Sequence, residues 1–183
     1  MRALVLCAGY GSRLGDLTQS LPKPMLEVGG KPILEHIVHH LYSFGVREVV
    51  VNTHHLPVSI MKYFGTSLLY TYEPFLLGEQ GTIDTIIRNF PTFGKEYLLV
   101  ANGDTLTNLD INAMFAMSGG HSVQYVDGDV YAGTKILSPA YLSGIDTKIS
   151  DYQSADSFWI DAGTPSGLER ARKLYEKTTS PVS

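Results

Sequence analysis

Two short segments near the amino terminus carry the residue types that handle phosphate. Leu6-Cys-Ala-Gly-Tyr-Gly-Ser-Arg-Leu14 directly follows an apolar run, and Leu21-Pro-Lys-Pro-Met-Leu26 comes soon after. Gly9 and Gly11 let the backbone turn sharply and present amide N–H groups to an anion. Arg13 adds a planar fork for phosphate oxygens, and Lys23, between two prolines, adds a compact positive charge. This set suits the triphosphate of a nucleotide. It is not a Walker A loop, because no Gly-Lys-Ser/Thr follows. It is also a poor dinucleotide fingerprint: Gly15 comes one residue late, a proline-rich stretch replaces the helix, and no acid closes the second strand. The plain alternative, a strand-ending turn with surface charges, fits the glycines alone but not Pro22-Lys23-Pro24.

The elements that must hold these segments alternate between strand and helix patterns. Arg2–Cys7 is a continuous apolar run, as expected for a strand covered on both faces. Gly29-Gly30 marks a turn, and Pro32 suits the start of a helix to about Phe44, with Ile33, Ile37, Leu41 and Phe44 on one face. Glu48–Asn52 is a second strand. A short helix from Pro57, a strand over Ser67–Tyr72, a helix over Thr82–Phe90 and a strand over Tyr97–Ala101 follow. The last strand runs into Asn102-Gly-Asp104. This order predicts a largely parallel sheet with helices on both faces. Beyond it the patterns weaken: a short helix over Asp110–Met117, strands over Ser122–Val126, Val130–Ala132 and Ser157–Ile160, and a last helix capped by Thr164 with Pro165 at its first position. Thr178 to Ser183 reads as a frayed end.

Bulk properties exclude several classes. The 183 residues fit one domain; 17% are charged and 44% hydrophobic, with net charge −4, which is ordinary for a globular protein and unlike a nucleic-acid binder. Cys7 is the only cysteine, so no internal disulfide can form and a reducing compartment is expected. The first strand lacks the apolar core of a signal peptide, and no apolar run approaches the roughly 18 residues of a membrane helix. The expectation is a cytoplasmic protein with neither nucleic-acid nor membrane partners.

The segment Leu6–Met25 resembles the signature of sugar-1-phosphate nucleotidyltransferases (nucleotide-sugar pyrophosphorylases): a glycine-rich loop, Arg-Leu, then Pro-Lys-Pro-Met-Leu. The likeness continues through Gly29-Gly30-Lys31-Pro32, the Val49–Asn52 strand, Asn102-Gly-Asp104 and Trp159-Ile-Asp-Ala-Gly-Thr-Pro165. In layout the short mannose or heptose phosphate guanylyltransferases are most similar. The resemblance implies a three-layer αβα fold around a mostly parallel, Rossmann-like sheet. It implies a nucleotide-binding half over about 1–110 and a shortened sugar-binding half over about 111–183. It assigns Leu6, Ala8, Gly9, Gly11, Ser12, Arg13 and Lys23 to the nucleotide, with Arg13 and Lys23 acting in catalysis, and adds Glu73, Gly78, Asn102 and Gly103. Asp104 and Asp161 would bind Mg²⁺, a hard cation usually held by one or two carboxylates with phosphates and water. Taken singly, each aspartate reads equally well as a turn residue. Glu73 falls where a base-reading side chain is expected; an ionised carboxylate only accepts hydrogen bonds, which favours guanine and hence GTP. Its alternative is an exposed loop glutamate. His54 and His55 read as loop residues.

The reaction so implied is attack by a sugar 1-phosphate oxygen on the α-phosphorus of a nucleoside triphosphate, releasing pyrophosphate. The nucleophile is already anionic, so catalysis rests on positioning and charge neutralisation. The partners are then an NTP and a sugar 1-phosphate, with a homodimer as one option. The second half departs from the pattern. Tyr131-Ala-Gly133 replaces Asn-Ala-Gly, and no Glu-Lys pair precedes it; in the first half, the loop expected to meet the base has Glu79-Gln80 in place of Thr-Ala after Gly78. Lys135 is expected at the surface, with replacement of the missing lysine as the alternative. A catalytically weak nucleotide-binding or regulatory homologue with a degenerate sugar site is the competing reading.

Overall fold

The computed structural model describes residues 1–179. Its first half comprises β1 (Arg2–Leu6), the two-residue strands β2 (Glu27–Val28) and β3 (Lys31–Pro32), α1 (Ile33–Ser43), β4 (Val49–Thr53), α2 (Pro57–Phe64), β5 (Leu69–Tyr72), α3 (Gly78–Asn89) and β6 (Leu98–Asn102). Then come β7 (Thr105–Thr107), α4 (Ile111–Met117), β8 (Ser122–Asp127), β9 (Val130–Leu137), α5 (Pro139–Leu142), β10 (Ile149–Tyr152), β11 (Trp159–Asp161) and α6 (Pro165–Thr179).

Seven strands form one sheet in the order β10-β8-β9-β6-β1-β4-β5. β1 runs parallel to β4 and β6, and β4 parallel to β5. β9 is antiparallel to β6 and β8, while β10 is parallel to β8. β9 therefore reverses direction in an otherwise parallel sheet. The continuous apolar character of β1 follows from its position. Ala3 and Val5 face a core with Ile33, Leu34 and Ile37 of α1, Ile60 of α2 and Met114 of α4. Leu4 faces the other side, against Ile83 and Ile86 of α3 and Phe93. With each fully buried aliphatic side chain contributing about 1.5–3 kcal/mol relative to exposure, polar alternation in such a strand would be costly.

The three-layer α/β architecture agrees with expectation; several boundaries do not. α3 begins at Gly78, one turn before Thr82, where the loop backbone already turns helical. β9 extends to Leu137, well past Ala132, because β6 and β8 pair with it on both sides. α5 and β10 lie in the 138–157 stretch that carried no clear pattern; all four β10 residues are partly buried or exposed, so no apolar alternation announces that strand. The frayed end expected from Thr178 mostly concerns residues 180–183, which lie outside the described residues; α6 itself continues to Thr179.

Candidate active site

The parallel strands β1, β4 and β6 end on the same side of the sheet, where open α/β sheets bind ligands. A cavity of about 300 Å³ opens there. Of the residues selected from sequence, Leu6, Ala8, Gly9, Lys23, Glu73, Gly78, Asn102 and Asp104 line it. Gly11, Ser12, Arg13, Gly103 and Asp161 do not. Gly11 has φ +68°, and an added Cβ would sit 2.8 Å from Thr18 Cγ2, so this turn requires glycine. Gly103 is required for packing: a Cβ there would lie 2.5 Å from Cys7 Sγ and 2.7 Å from the Leu6 carbonyl oxygen. A larger cavity of about 420 Å³ lies between α1 and β7 and contains none of the selected residues.

The four charged residues converge from distant segments. Asp104 follows the end of β6. Asp161 closes β11, which pairs antiparallel with β7 so that Asp161 lies opposite Thr105. The Ala162 amide donates to the Asp104 carbonyl at 2.8 Å, tying the two loops together. Lys23 Nζ donates to Asp104 Oδ2. Arg13 Nη1 donates to Asp161 Oδ2 at 3.2 Å, and the Gly163 amide donates to Asp161 Oδ1 at 2.8 Å. Gly163 marks the centre of this group. A Cβ built on it would strike Asp104 Oδ2 and lie 2.8 Å from Asp161 Oδ1 and 3.1 Å from Arg13 Nη2. Two carboxylates and a guanidinium thus border one small volume kept clear by a glycine.

This donor set fits a hard divalent cation. Both carboxylates supply oxygen, and no third acid, histidine or cysteine joins them to make a closed site among the described residues. Mg²⁺ commonly takes that form, completing its shell with water and phosphate oxygens. Cys7 is unsuited to chemistry here. It is fully buried, and that burial, reinforced by Asp104, pushes its thiol well above the usual range.

Glu73 is buried, so the alternative of an exposed loop glutamate does not hold. Its Oε1 accepts from Asn52 Nδ2 at 2.9 Å and from the Thr82 hydroxyl at 2.5 Å; its Oε2 accepts from the Leu77 amide at 3.2 Å. Asn52 Oδ1 in turn accepts from the Cys7 amide at 2.6 Å. One buried network therefore fixes the end of β1, the end of β4, the loop over 73–78 and the start of α3. Asn52 and Thr82 escaped selection from sequence, although a polar residue ending Val49-Val50-Val51 was the available signal for Asn52.

Lys135 is not at the surface. Its side chain is 12% exposed and its Nζ lies 2.7 Å from Glu79 Oε1. The same nitrogen sits 4.6 Å from the centre of the Tyr131 ring, an attractive cation–π distance. The Tyr131 hydroxyl is buried without a partner among the described residues, and burial, aided by Glu79, raises it well above its ordinary range. Lys135 thus touches two residues that break the sequence pattern, Tyr131 and Glu79, the second of which lines the cavity.

Residues 3–130 match the MobA-like NTP transferase domain. The chain belongs to this family. The match ends at Val130 and so covers the glycine loop, Lys23 and Asp104 but not Asp161. Among named relatives, N-acetylmuramate alpha-1-phosphate uridylyltransferase of Neisseria meningitidis serogroup B is 36% identical over 119 residues, 63% of this chain and 52% of that protein. D-glycero-alpha-D-manno-heptose 1-phosphate guanylyltransferase of Campylobacter jejuni is 33% identical over 119 residues, 62% of this chain and 52% of that protein. The chain spans about half the length of these curated relatives. Solved structures share the fold throughout. UDP-glucose pyrophosphorylase of Acinetobacter baumanii superposes with a TM-score of 0.84 at 14% identity, covering 99% of this chain and 95% of that one. HddC of Yersinia pseudotuberculosis gives 0.78 at 19% identity, covering 95% and 99%. No helix among the described residues is long and apolar enough to cross a membrane.

Proposed function

We propose that this protein transfers a nucleoside monophosphate from an NTP to a sugar 1-phosphate, releasing pyrophosphate. The observation that carries this reading is the convergence of Arg13, Lys23, Asp104 and Asp161 around Gly163. A protein that only bound nucleotide would have less need of two carboxylates beside two cations. The cavity at the ends of β1, β4 and β6 would take the nucleoside, and the backbone of the glycine loop would take the phosphates. Lys23 neutralises charge at the reacting phosphorus, and Arg13 does so toward the departing pyrophosphate. No general base is needed, because the attacking phosphate oxygen is already ionised. Asp104 and Asp161 would hold Mg²⁺, which when bound supplies positive charge to the phosphate oxygens.

GTP is the favoured donor. Glu73 Oε2 takes a single bond from protein, so the carboxylate retains accepting capacity toward guanine's N–H groups. The named relatives include both uridylyl- and guanylyltransferases, and UTP is the competitor to test. A second reading, a weak nucleotide-binding homologue, draws support from the Glu79–Lys135 pair, which neutralises a cation close to where an acceptor phosphate would arrive. One assay separates the two. Four NTPs are offered with a panel of sugar 1-phosphates, and pyrophosphate release is followed with and without Mg²⁺. Magnesium-dependent turnover with GTP supports the transferase; tight binding of one NTP without turnover supports the second reading.

A further inference from the structure

His54 and His55 follow β4 directly and lie outside both the charged cluster and the contacts of the Glu73 carboxylate. Both rings turn toward the glycine loop. His54 Nδ1 lies 2.7 Å from the Glu73 carbonyl oxygen. A carbonyl only accepts, so Nδ1 carries the hydrogen and the neutral ring keeps a lone pair on Nε2. Tyr10, flanked by Gly9 and Gly11, donates its hydroxyl to that nitrogen at 2.8 Å. The two rings meet edge to face, with centroids 5.2 Å apart. His55 holds the other side of the loop. Its Nε2–H donates to the Thr18 carbonyl at 2.8 Å, and the Thr18 hydroxyl lies 3.1 Å from the Gly11 carbonyl oxygen.

We propose that Tyr10, His54 and His55 form a bracket that orders the glycine loop before a triphosphate arrives, which makes Tyr10 and His54 positioning residues for nucleotide binding. A loop with glycines on both sides of Tyr10 has more backbone freedom to lose than one with other residues there. Fixing it in the free protein removes that entropic cost from the binding step. Tyr10 is 52% exposed, so its contribution to the core is small; its contacts are the hydroxyl bond and the packing of its ring on His54 and His55, at 5.2 and 5.6 Å between centroids. Because His54 rests on Glu73, whose carboxylate shapes the 73–78 loop, the bracket ties the phosphate end of the cleft to its base end.

This inference rests on the reading of the cleft as a nucleotide site, and the experiment separates the two. Wild type, Tyr10→Phe, His54→Ala and the double variant are titrated with mant-GTP and mant-UTP. Amide hydrogen exchange over residues 9–12 is measured in the free protein. Each single variant is expected to weaken binding of the preferred nucleotide by about tenfold, the scale of one hydrogen bond. The double variant should bind no more weakly than the weaker single one. Exchange over 9–12 should accelerate, and KM for the NTP should rise while kcat stays near wild type. Wild-type affinity and exchange in Tyr10→Phe, which deletes one surface oxygen and should fold normally, would overturn the bracket. So would losses that multiply in the double variant. A wild-type protein that binds neither nucleotide overturns the nucleotide-site reading, and the bracket with it.

Discussion

Lys23 and Asp104 meet in a nearly buried pair, with 17% and 11% of their side chains exposed, whereas Arg13 and Asp161 meet with 59% and 34% exposed. The first pair joins a lysine fixed between prolines to an aspartate at the end of a central strand. The second joins a residue of the glycine loop to the end of β11, which lies outside the main sheet in a two-stranded pair with β7. Exposed pairs of the second kind contribute about 0–1 kcal/mol and exchange readily with other partners. Partners in a nearly buried pair are costly to separate. The cluster is therefore built on one firmly held charge pair, with a looser pair beside it that is free to exchange partners. The same contrast separates their surroundings. The ends of β1 and β4 and the start of α3 are tied together by the buried Asn52–Glu73–Thr82 network, whereas Asp161 is carried by the three-residue strand β11.

That contrast can be broken at several points. Replacing Lys23 or Asp104 by alanine should have the largest effect, lowering pyrophosphate release on the order of 10³-fold while circular dichroism stays native. Near-normal turnover in either variant would sink the transferase reading. Gly163→Ala drives a methyl group between the carboxylates and should cost about 100-fold in kcat, as misplacement by roughly 1 Å does. Its Mg²⁺ requirement should rise, and an unchanged Mg²⁺ titration would remove Gly163 from the site. Arg13→Ala should shift the melting temperature by no more than about 2 °C, in keeping with an exposed pair. Its kcat/KM should fall by about 10–100-fold, so a variant that unfolds instead would contradict the picture of a loose pair.

Lys135→Met tests the acceptor side. It should change KM for the sugar 1-phosphate several-fold and leave mant-GTP affinity alone; the reverse pattern would place Lys135 with the nucleotide. The smallest effect concerns His40 on α1, whose imidazole is pushed below its ordinary range by burial, partly opposed by a bond to the Leu109 backbone. A depressed folded-state pKa means that its stabilisation is complete above the unfolded value of about 6.5 and is lost as pH falls through the lower folded value. The melting temperature should drop by about 2 °C or less between pH 7 and pH 5 on this account, and His40→Phe should abolish that part of the drop.

Much of the nucleotide side was legible because it depends on local chemistry. The glycine turn, the prolines around Lys23 and the apolar run before them act over a few residues, so type and spacing suffice. Lys135 and Glu73 were less legible. Whether a lysine lies at the surface or against an aromatic ring depends on what the fold brings to it. Glu79 reaches Lys135 only because α3 packs beside β9, which no local pattern encodes. For Glu73 an exposed loop carboxylate stood as the alternative to a base-reading one, and the burial that removes this alternative follows from Asn52 and Thr82 arriving from two other elements. In the sequence, Glu79 and Tyr131 stood as two separate irregularities and Lys135 as an expected surface lysine; the fold brings all three together.

By itself the sequence determined the alternation of strands and helices, the glycine-rich turn after β1 and the identity of the four charged residues, since each is set by side-chain type and short-range spacing. Tertiary structure decided which carboxylate pairs with which cation, that Gly163 stands between them, and that two histidines after β4 hold the glycine loop. Those facts depend on β11 pairing with β7 and on β1, β4 and β6 ending side by side. Such long-range juxtaposition is fixed by packing of the whole sheet rather than by any neighbouring residue.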